Sequence, residues 1–193
     1  MKFDPKLNDP TNLYYFSNGF SDLEVELIRA NAANSLPQRA TIDGQNQINQ
    51  SIRESRLVWL TNTAEWSWVF DRMRDMIIEA NSALWRFDLI SGNEHIQYTE
   101  YEAINNGHYD WHMDIGAGQA CLRKISMTIQ LSDPEEYSGG ELEIWQGGSS
   151  IIRAHKHKGF TIVFPSYLMH RVTPVTSGIR RSLVIWVGGI PFR

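Results

Sequence analysis

Cysteine is nearly absent from this 193-residue chain: Cys121 is the only one. One thiol excludes an intrachain disulfide and a thiolate zinc site, and it fits a reducing compartment, so a cytoplasmic location is expected. Basic residues are in short supply as well, with 18 Lys and Arg against 22 Asp and Glu and a formal charge of -4. A nucleic-acid partner is not expected, because counterion release from a phosphate backbone needs clustered cations. No run of about 18 apolar residues occurs, and the opening "MKFDPKLNDP" has no apolar core of a signal peptide. Neither membrane insertion nor export is expected. Repeats and low-complexity tails are missing too. What remains is a chain of one-domain size, 42% hydrophobic, long enough to bury a core and still hold a pocket.

The first half mixes helix and strand. "SDLEVELIRANAANS" opens with a capping box, Ser21 with Glu24 three residues on, and predicts a helix over 22–34 with Leu23, Leu27 and Ile28 on its apolar stripe. Residues 64–86 carry Trp66, Phe70, Met73, Ile77, Ala80 and Leu84 at steps of three and four, a helix for packing on a sheet. Between them "TIDGQNQINQS" is polar and without period, and the stretch 41–55 is expected as a loop able to cover a pocket. "RLVWL" reads as a short strand. From residue 94 the period becomes two, and turn signals recur at "NNG", "SDPEEYSGG", "QGGSS", "HKG", "FPS" and "TSG". Strands are expected at 94–102, 109–113, 123–131, 140–145, 160–164, 169–173 and 179–187. The fold class is therefore mainly β with flanking helices: a jelly roll over 94–190, supported by residues 1–93 whose helices pack on the larger sheet, all in one domain.

The chemistry concentrates in "GHYDWHMD", residues 107–114. Alternate side chains of a strand share a face, so His112 and Asp114 project together while Met113 points away. An imidazole nitrogen beside a carboxylate oxygen suits a borderline first-row metal, and His170, in the strand-like "FPSYLMHRV", is the third ligand a jelly roll can bring alongside. Two histidines and one carboxylate leave coordination positions open, the arrangement of non-haem Fe(II) oxygenases. Ten residues after His170 stands Arg180, followed by Ser182 on the same strand face. A guanidinium beside a metal is a specific carboxylate holder, since its planar fork matches two oxygens at once, and it is costly to bury without one.

With those residues in place, the chain resembles the Fe(II)- and 2-oxoglutarate-dependent dioxygenases, in their prolyl-4-hydroxylase-like branch. The resemblance lies in "YTEYEAINNGHYDWHMD", "RKISMTIQLSDPEEYSGGELEI" and "GFTIVFPSYLMHRVTPVTSGIRRSLVIWVGG" and covers nearly all of 94–189. It implies a double-stranded β-helix, His112, Asp114 and His170 as iron ligands, and Arg180 on the far carboxylate of the cosubstrate 2-oxoglutarate, in place of the lysine of many prolyl hydroxylases. It further implies Ser182 as helper in that contact, Tyr101 and Gln130 near the cosubstrate, and Thr128 on the same face as Gln130. Leu142, Val172 and Trp186 are expected in the pocket wall, and Trp111 and Trp145 near its mouth. The implied reaction uses dioxygen, Fe(II) and 2-oxoglutarate, with ascorbate as an optional addition, and releases succinate and carbon dioxide while hydroxylating a C–H bond. The substrate implied is a prolyl residue of a protein or peptide. Alternatives are a free amino acid or other small molecule, and a non-catalytic cupin-like metal-binding module. His155 and His157, among lysines before a turn, read as a solvated loop, and the His108/His112 spacing lacks the helix it would need.

Overall fold

A computed structural model describes residues 12–40, 49–90 and 94–191. Two antiparallel sheets face one another, as expected of a jelly roll, and two helices cover the outside of the larger one. In chain order the elements are β1 (Tyr14–Phe16), α1 (Asp22–Ala32), β2 (Gln38–Arg39), β3 (Arg53–Glu54), β4 (Arg56–Leu60), α2 (Ser67–Ala80), β5 (Leu89–Ile90), β6 (Ile96–Glu102), β7 (His108–His112), β8 (Arg123–Gln130), β9 (Tyr137–Gly139), β10 (Leu142–Trp145), β11 (Ile151–Arg153), β12 (Thr161–Pro165), β13 (His170–Val172) and β14 (Val175–Gly189). The larger sheet runs β1-β12-β8-β14-β6-β4-β2, with β5 and β9 also paired to β14, and the smaller runs β11-β10-β13-β7-β3. Strands from before residue 94 thus enter both sheets: β1, β2, β4 and β5 the larger, β3 the smaller. No helix among the described residues is long and apolar enough to cross a membrane.

The alternation in "RKISMTIQ" decides the layering. Ile125, Met127 and Ile129 of β8 turn outward and join Leu183, Ile185 and Val187 of β14 under the helices, all buried. Each such side chain removed from water contributes about 1.5–3 kcal/mol. From α1 the partners are Val25, Ile28 and Ala32; from α2 they are Val69, Phe70, Met73, Met76, Ile77 and Ala80. The capping box at Ser21 and Glu24 is present. The stripe expected on α1 is corrected in two of its three residues: Ile28 is buried, but Leu23 is 85% and Leu27 49% exposed. At 3.6 residues per turn they lie about half a turn round the helix from Val25 and Ala32, and the face of Val25, Ile28 and Ala32 is the one that docks.

Helix α2 begins three residues later than the predicted 64, at Ser67, and passes at Asn81 into a π-helical turn to Trp85. That wider turn shifts the register, so Leu84 is only half-buried while Trp66, Phe70, Met73, Ile77 and Ala80 are buried as expected. Arg86 in the left-handed region (φ 56°) ends it. The Asn81 amide there donates to the Phe87 carbonyl and accepts from its N–H, at 2.9 and 2.8 Å. Of the loop and cover expected over 41–55, residues 41–48 lie outside the described residues. The rest is not loop throughout, since Arg53 and Glu54 pair with Tyr109 and His108 of β7 and are buried.

The two sheets enclose a second, smaller apolar cluster around Tyr101, Tyr109, Leu142, Ile144, Phe160, Phe164 and Val172. Beside it the inner face of the larger sheet is polar. In register across three strands stand Tyr101 with Arg180, Thr99 with Ser182 and Gln130, Gln97 with Val184 and Thr128, and Trp186 with Ser126. Gly140 (φ 62°) ends the "SGG" turn there, and a side-chain carbon on it would sit 2.9 Å from Cγ2 of Val175 and 3.1 Å from Cδ of Arg180, so glycine lets the turn close on the arginine stem.

Candidate metal centre

His112 ends β7, Asp114 lies two residues on, and His170 opens β13 directly opposite His112 in the antiparallel register. Strand pairing alone therefore joins two histidines 58 positions apart. Asp114 is not on the strand as expected but just beyond its end, where its N–H donates to the Ser166 carbonyl at 2.9 Å. The bend still brings the three groups together: one donor atom from each of His112, Asp114 and His170 lies within 4.8 Å of the others. Nε2 of His170 is 3.3 Å from Oδ2 of Asp114, and Nε2 of His112 is 3.8 Å from Oδ1.

Both rings are oriented from behind. Nδ1 of His112 lies 2.8 Å from the Asp110 carbonyl and Nδ1 of His170 2.8 Å from that of Leu168. A carbonyl only accepts, so each Nδ1 carries a proton and each Nε2 faces the carboxylate, the nitrogen left for a metal. Tyr109 stacks on His112, ring centres 3.4 Å apart, and Phe164 meets His170 edge-on at 4.9 Å. The Ser126 hydroxyl donates to Oδ2 of Asp114 at 2.6 Å.

Burial would raise the Asp114 carboxyl, but His170, by charge and hydrogen bond, together with His112 and Ser126, holds it well below the usual carboxylate range. Burial also pulls His112 down, to about 3, helped by the charge of His170 and, more weakly, Arg53, against the pull of Asp114. On His170 the charge and hydrogen bond of Asp114 outweigh burial, and its affinity for a proton is raised. Without a cation, then, the pairing with Asp114 favours a proton on His170, which a bound metal would displace. Two neutral imidazoles and one buried carboxylate fit a borderline first-row ion.

The cavity in front of this cluster is lined, among others, by Tyr101, Thr128, Leu142, Val172, Arg180, Ser182 and Trp186, so the three expected wall residues lie where they were placed. Arg180 is 3% exposed; Nη1 donates to the Ser182 hydroxyl at 3.4 Å, and the guanidinium stands 5.5 Å from the centre of the Tyr101 ring. Among the described residues no carboxylate pairs with it. Gln130 is one step removed, lining an adjoining hollow with Thr128 and Arg180 and donating to the Tyr137 hydroxyl at 2.8 Å. Trp111 lies under Arg171 at 4.7 Å, and Trp145, 43% exposed, donates to the Gly148 carbonyl; neither lines the cavity. His155 and His157 are exposed and stacked on each other at 5.6 Å.

Residues of this neighbourhood that escape the sequence reading include Arg53, Gln97, Tyr109, Ser126, Tyr137 and Val184. Ser126 was recoverable from the S-x-T-x-Q alternation it shares with Thr128 and Gln130. Arg53 had a subtler mark, because the R-x-S spacing of Arg180 and Ser182 recurs at Arg53 and Ser55. Tyr109 and Tyr137 reach the site through pairings that no local pattern announces.

Residues 96–188 match the family model of the 2OG-Fe(II) oxygenase superfamily. A PKHD-type hydroxylase of Hyphomonas neptunium is 43% identical over 86 residues, which cover 41% of this chain and 37% of that protein. The chain therefore spans little more than a third of the length of that curated relative. Among solved structures, a prolyl hydroxylase of Trichoplax adhaerens in complex with a hypoxia-inducible-factor peptide fragment superposes with a TM-score of 0.77 at 13% identity, covering 94% of this chain and 85% of the other. A Pseudomonas putida prolyl-4-hydroxylase gives 0.72 at 17%, covering 94% and 95%. At such identities the likeness is one of fold.

Proposed function

We propose, for a chain whose residues 96–188 match the family model of the 2OG-Fe(II) oxygenase superfamily, that it is a hydroxylase of the prolyl-4-hydroxylase-like branch, dependent on ferrous iron and 2-oxoglutarate. One observation carries the reading: two Nε2 atoms and a carboxylate converge in a cavity that also holds Arg180, a buried guanidinium with no carboxylate partner among the described residues. His112, Asp114 and His170 would hold the ion, and a ferrous ion so bound supplies the activation of dioxygen. Arg180, with Ser182 beside it, takes the far carboxylate of 2-oxoglutarate in a two-oxygen contact. Thr128 and Tyr101 flank that contact, and Gln130 braces it through Tyr137. The walls of Leu142, Val172 and Trp186 exclude water from the reacting C–H bond. In the balanced reaction one oxygen atom of O2 enters the substrate as hydroxyl and the other enters succinate, with loss of carbon dioxide.

The substrate favoured is a prolyl residue of a protein or peptide. Its support is the name of the Pseudomonas putida enzyme and the peptide bound to the Trichoplax adhaerens enzyme, both on this fold. The test is succinate release with Fe(II) and 2-oxoglutarate, alongside mass spectrometry for a gain of one oxygen on candidate peptides. Arg180→Ala is expected to raise the 2-oxoglutarate requirement about ten- to a hundredfold, the size of a charge-assisted pair, while the metal still binds. An unchanged requirement would remove Arg180 from this role.

A further inference from the structure

The cavity contains a second buried guanidinium that the proposed reaction does not use. Arg53 is 7% exposed and lines the cavity beside Gln97, Tyr109 and His112. It is held firmly: Nε donates to the Ser55 hydroxyl at 2.9 Å, Nη2 donates to Oε1 of Gln97 at 2.7 Å, and the guanidinium lies 4.6 Å from the centre of the Tyr109 ring, which itself stacks on His112. All of these partners are neutral, and among the described residues Nη1 has no acceptor. Among the described residues Arg53 makes no ion pair. Residue 53 also lies outside the stretch matched by the family model.

A buried cation without a counter-charge is costly, and a fork fixed on two neutral oxygens with one nitrogen left over is shaped to receive an anion. The charge count agrees. With a ferrous ion on Asp114, and 2-oxoglutarate bringing two carboxylates to that ion and Arg180, the filled site balances to zero and Arg53 remains as the surplus positive charge. An internal prolyl residue offers it only neutral backbone carbonyls of its own.

We infer that Arg53 is a specificity-determining residue that binds a carboxylate of the substrate itself, so that the residue hydroxylated is presented with a free acid group, at a chain end or as a free amino acid. This rests on the reading of the site as an Fe(II) and 2-oxoglutarate centre. The experiment uses the full chain under anaerobic conditions with Fe(II) and 2-oxoglutarate, whose chelation is followed by its visible charge-transfer band. L-Proline, N-acetyl-L-proline and N-acetyl-L-leucine, each with its carboxamide counterpart, are titrated in while the band is watched for a saturable shift. The acids are expected to bind about ten- to a hundredfold more tightly than the amides, with that ratio collapsing in Arg53→Met and partly kept in Arg53→Lys. Preference for free L-proline over the acetylated acids assigns the anion to a free amino acid; the reverse assigns it to a chain end. Equal binding of acid and amide, a preference that survives in Arg53→Met, or no binding by any acid would overturn the inference while the band leaves the oxygenase reading standing. Absence of the band would overturn both. The acid-to-amide comparison on the unaltered protein needs no variant, so poor folding of Arg53→Met does not shelter the idea.

Discussion

Along β8, Ile125, Met127 and Ile129 turn to the helices while Ser126, Thr128 and Gln130 turn to the inner face of the sheet, and all six are buried. The same division runs through β14, with Leu183, Ile185 and Val187 on one side and Arg180, Ser182 and Trp186 on the other. One face is apolar, with α1 and α2 laid on it. The other withdraws hydroxyls, an amide and a guanidinium from water and satisfies them only in part: Ser126 reaches Asp114, Gln130 reaches Tyr137, and Arg180 has a hydroxyl but no carboxylate among the described residues. Burial of that kind lowers stability, since polar groups without full partners keep most of their desolvation cost. The outer face therefore supplies the folding free energy, and the inner face spends part of it on groups useful only when something binds.

Neighbouring residues of β8 put that division to a direct test. Met127→Ala removes a fully buried side chain from the helix-facing side and is expected to cost about 2–5 kcal/mol of stability, read from the denaturant midpoint at constant slope, with metal affinity of the folded protein changed less than about twofold. Thr128→Val, one residue on and facing the cavity, should change stability by less than about 1 kcal/mol. Comparable losses from the two would mean that both faces carry the fold, and the contrast would fall.

Acid probes the inner face alone. His112 is pulled down to about 3 and Asp114 is held well below the carboxylate range, so both are ready to ligate through mildly acidic conditions. His170 is raised, so below its own midpoint a metal must displace its proton. One proton released per ion means affinity falling about tenfold per pH unit in that window. Above the midpoint the dependence should flatten. Apparent dissociation constants for Mn(II) measured across pH 5 to 8 check this, and a twofold steeper slope would show that His112 is protonated as well. The folding equilibrium of the metal-free protein carries the same signs. The depressed His112 contributes stability that is lost as pH falls from its unfolded value toward about 3, and the raised His170 contributes stability that is lost as pH rises through its folded value.

What was legible in the sequence follows from how far each signal reaches. The H-x-D pair and the R-x-S pair each sit within a few residues, and their types limit their uses, so His112, Asp114, Arg180 and Ser182 stand out before any fold is known. His170 was reachable because a jelly roll pairs distant strands, and it does meet His112 in register. The long alternation of β8 announced both faces. By contrast, Arg53 sits on a two-residue strand and Tyr137 on a three-residue one, too short for any period, and their positions are set by pairing with β7 and β14. The departure of Asp114 from its strand depends on a hydrogen bond to Ser166, 52 positions away.

Helix α1 is where local pattern misled, and it yields the smallest effect. Two leucines four apart make a convincing stripe, yet the docking face is that of Val25, Ile28 and Ala32, which join the buried cluster with α2 and the sheet. Leu23, 85% exposed, has almost no contact to lose. Leu23→Ser is expected to change stability by no more than about 0.5 kcal/mol. Val25→Ala, two residues away and fully buried, should cost on the order of 1.5 kcal/mol for the two carbons withdrawn from the core. Equal midpoints for the two variants would mean that α1 turns its leucines to the sheet after all, and with them the apolar boundary of the outer face would have to be redrawn.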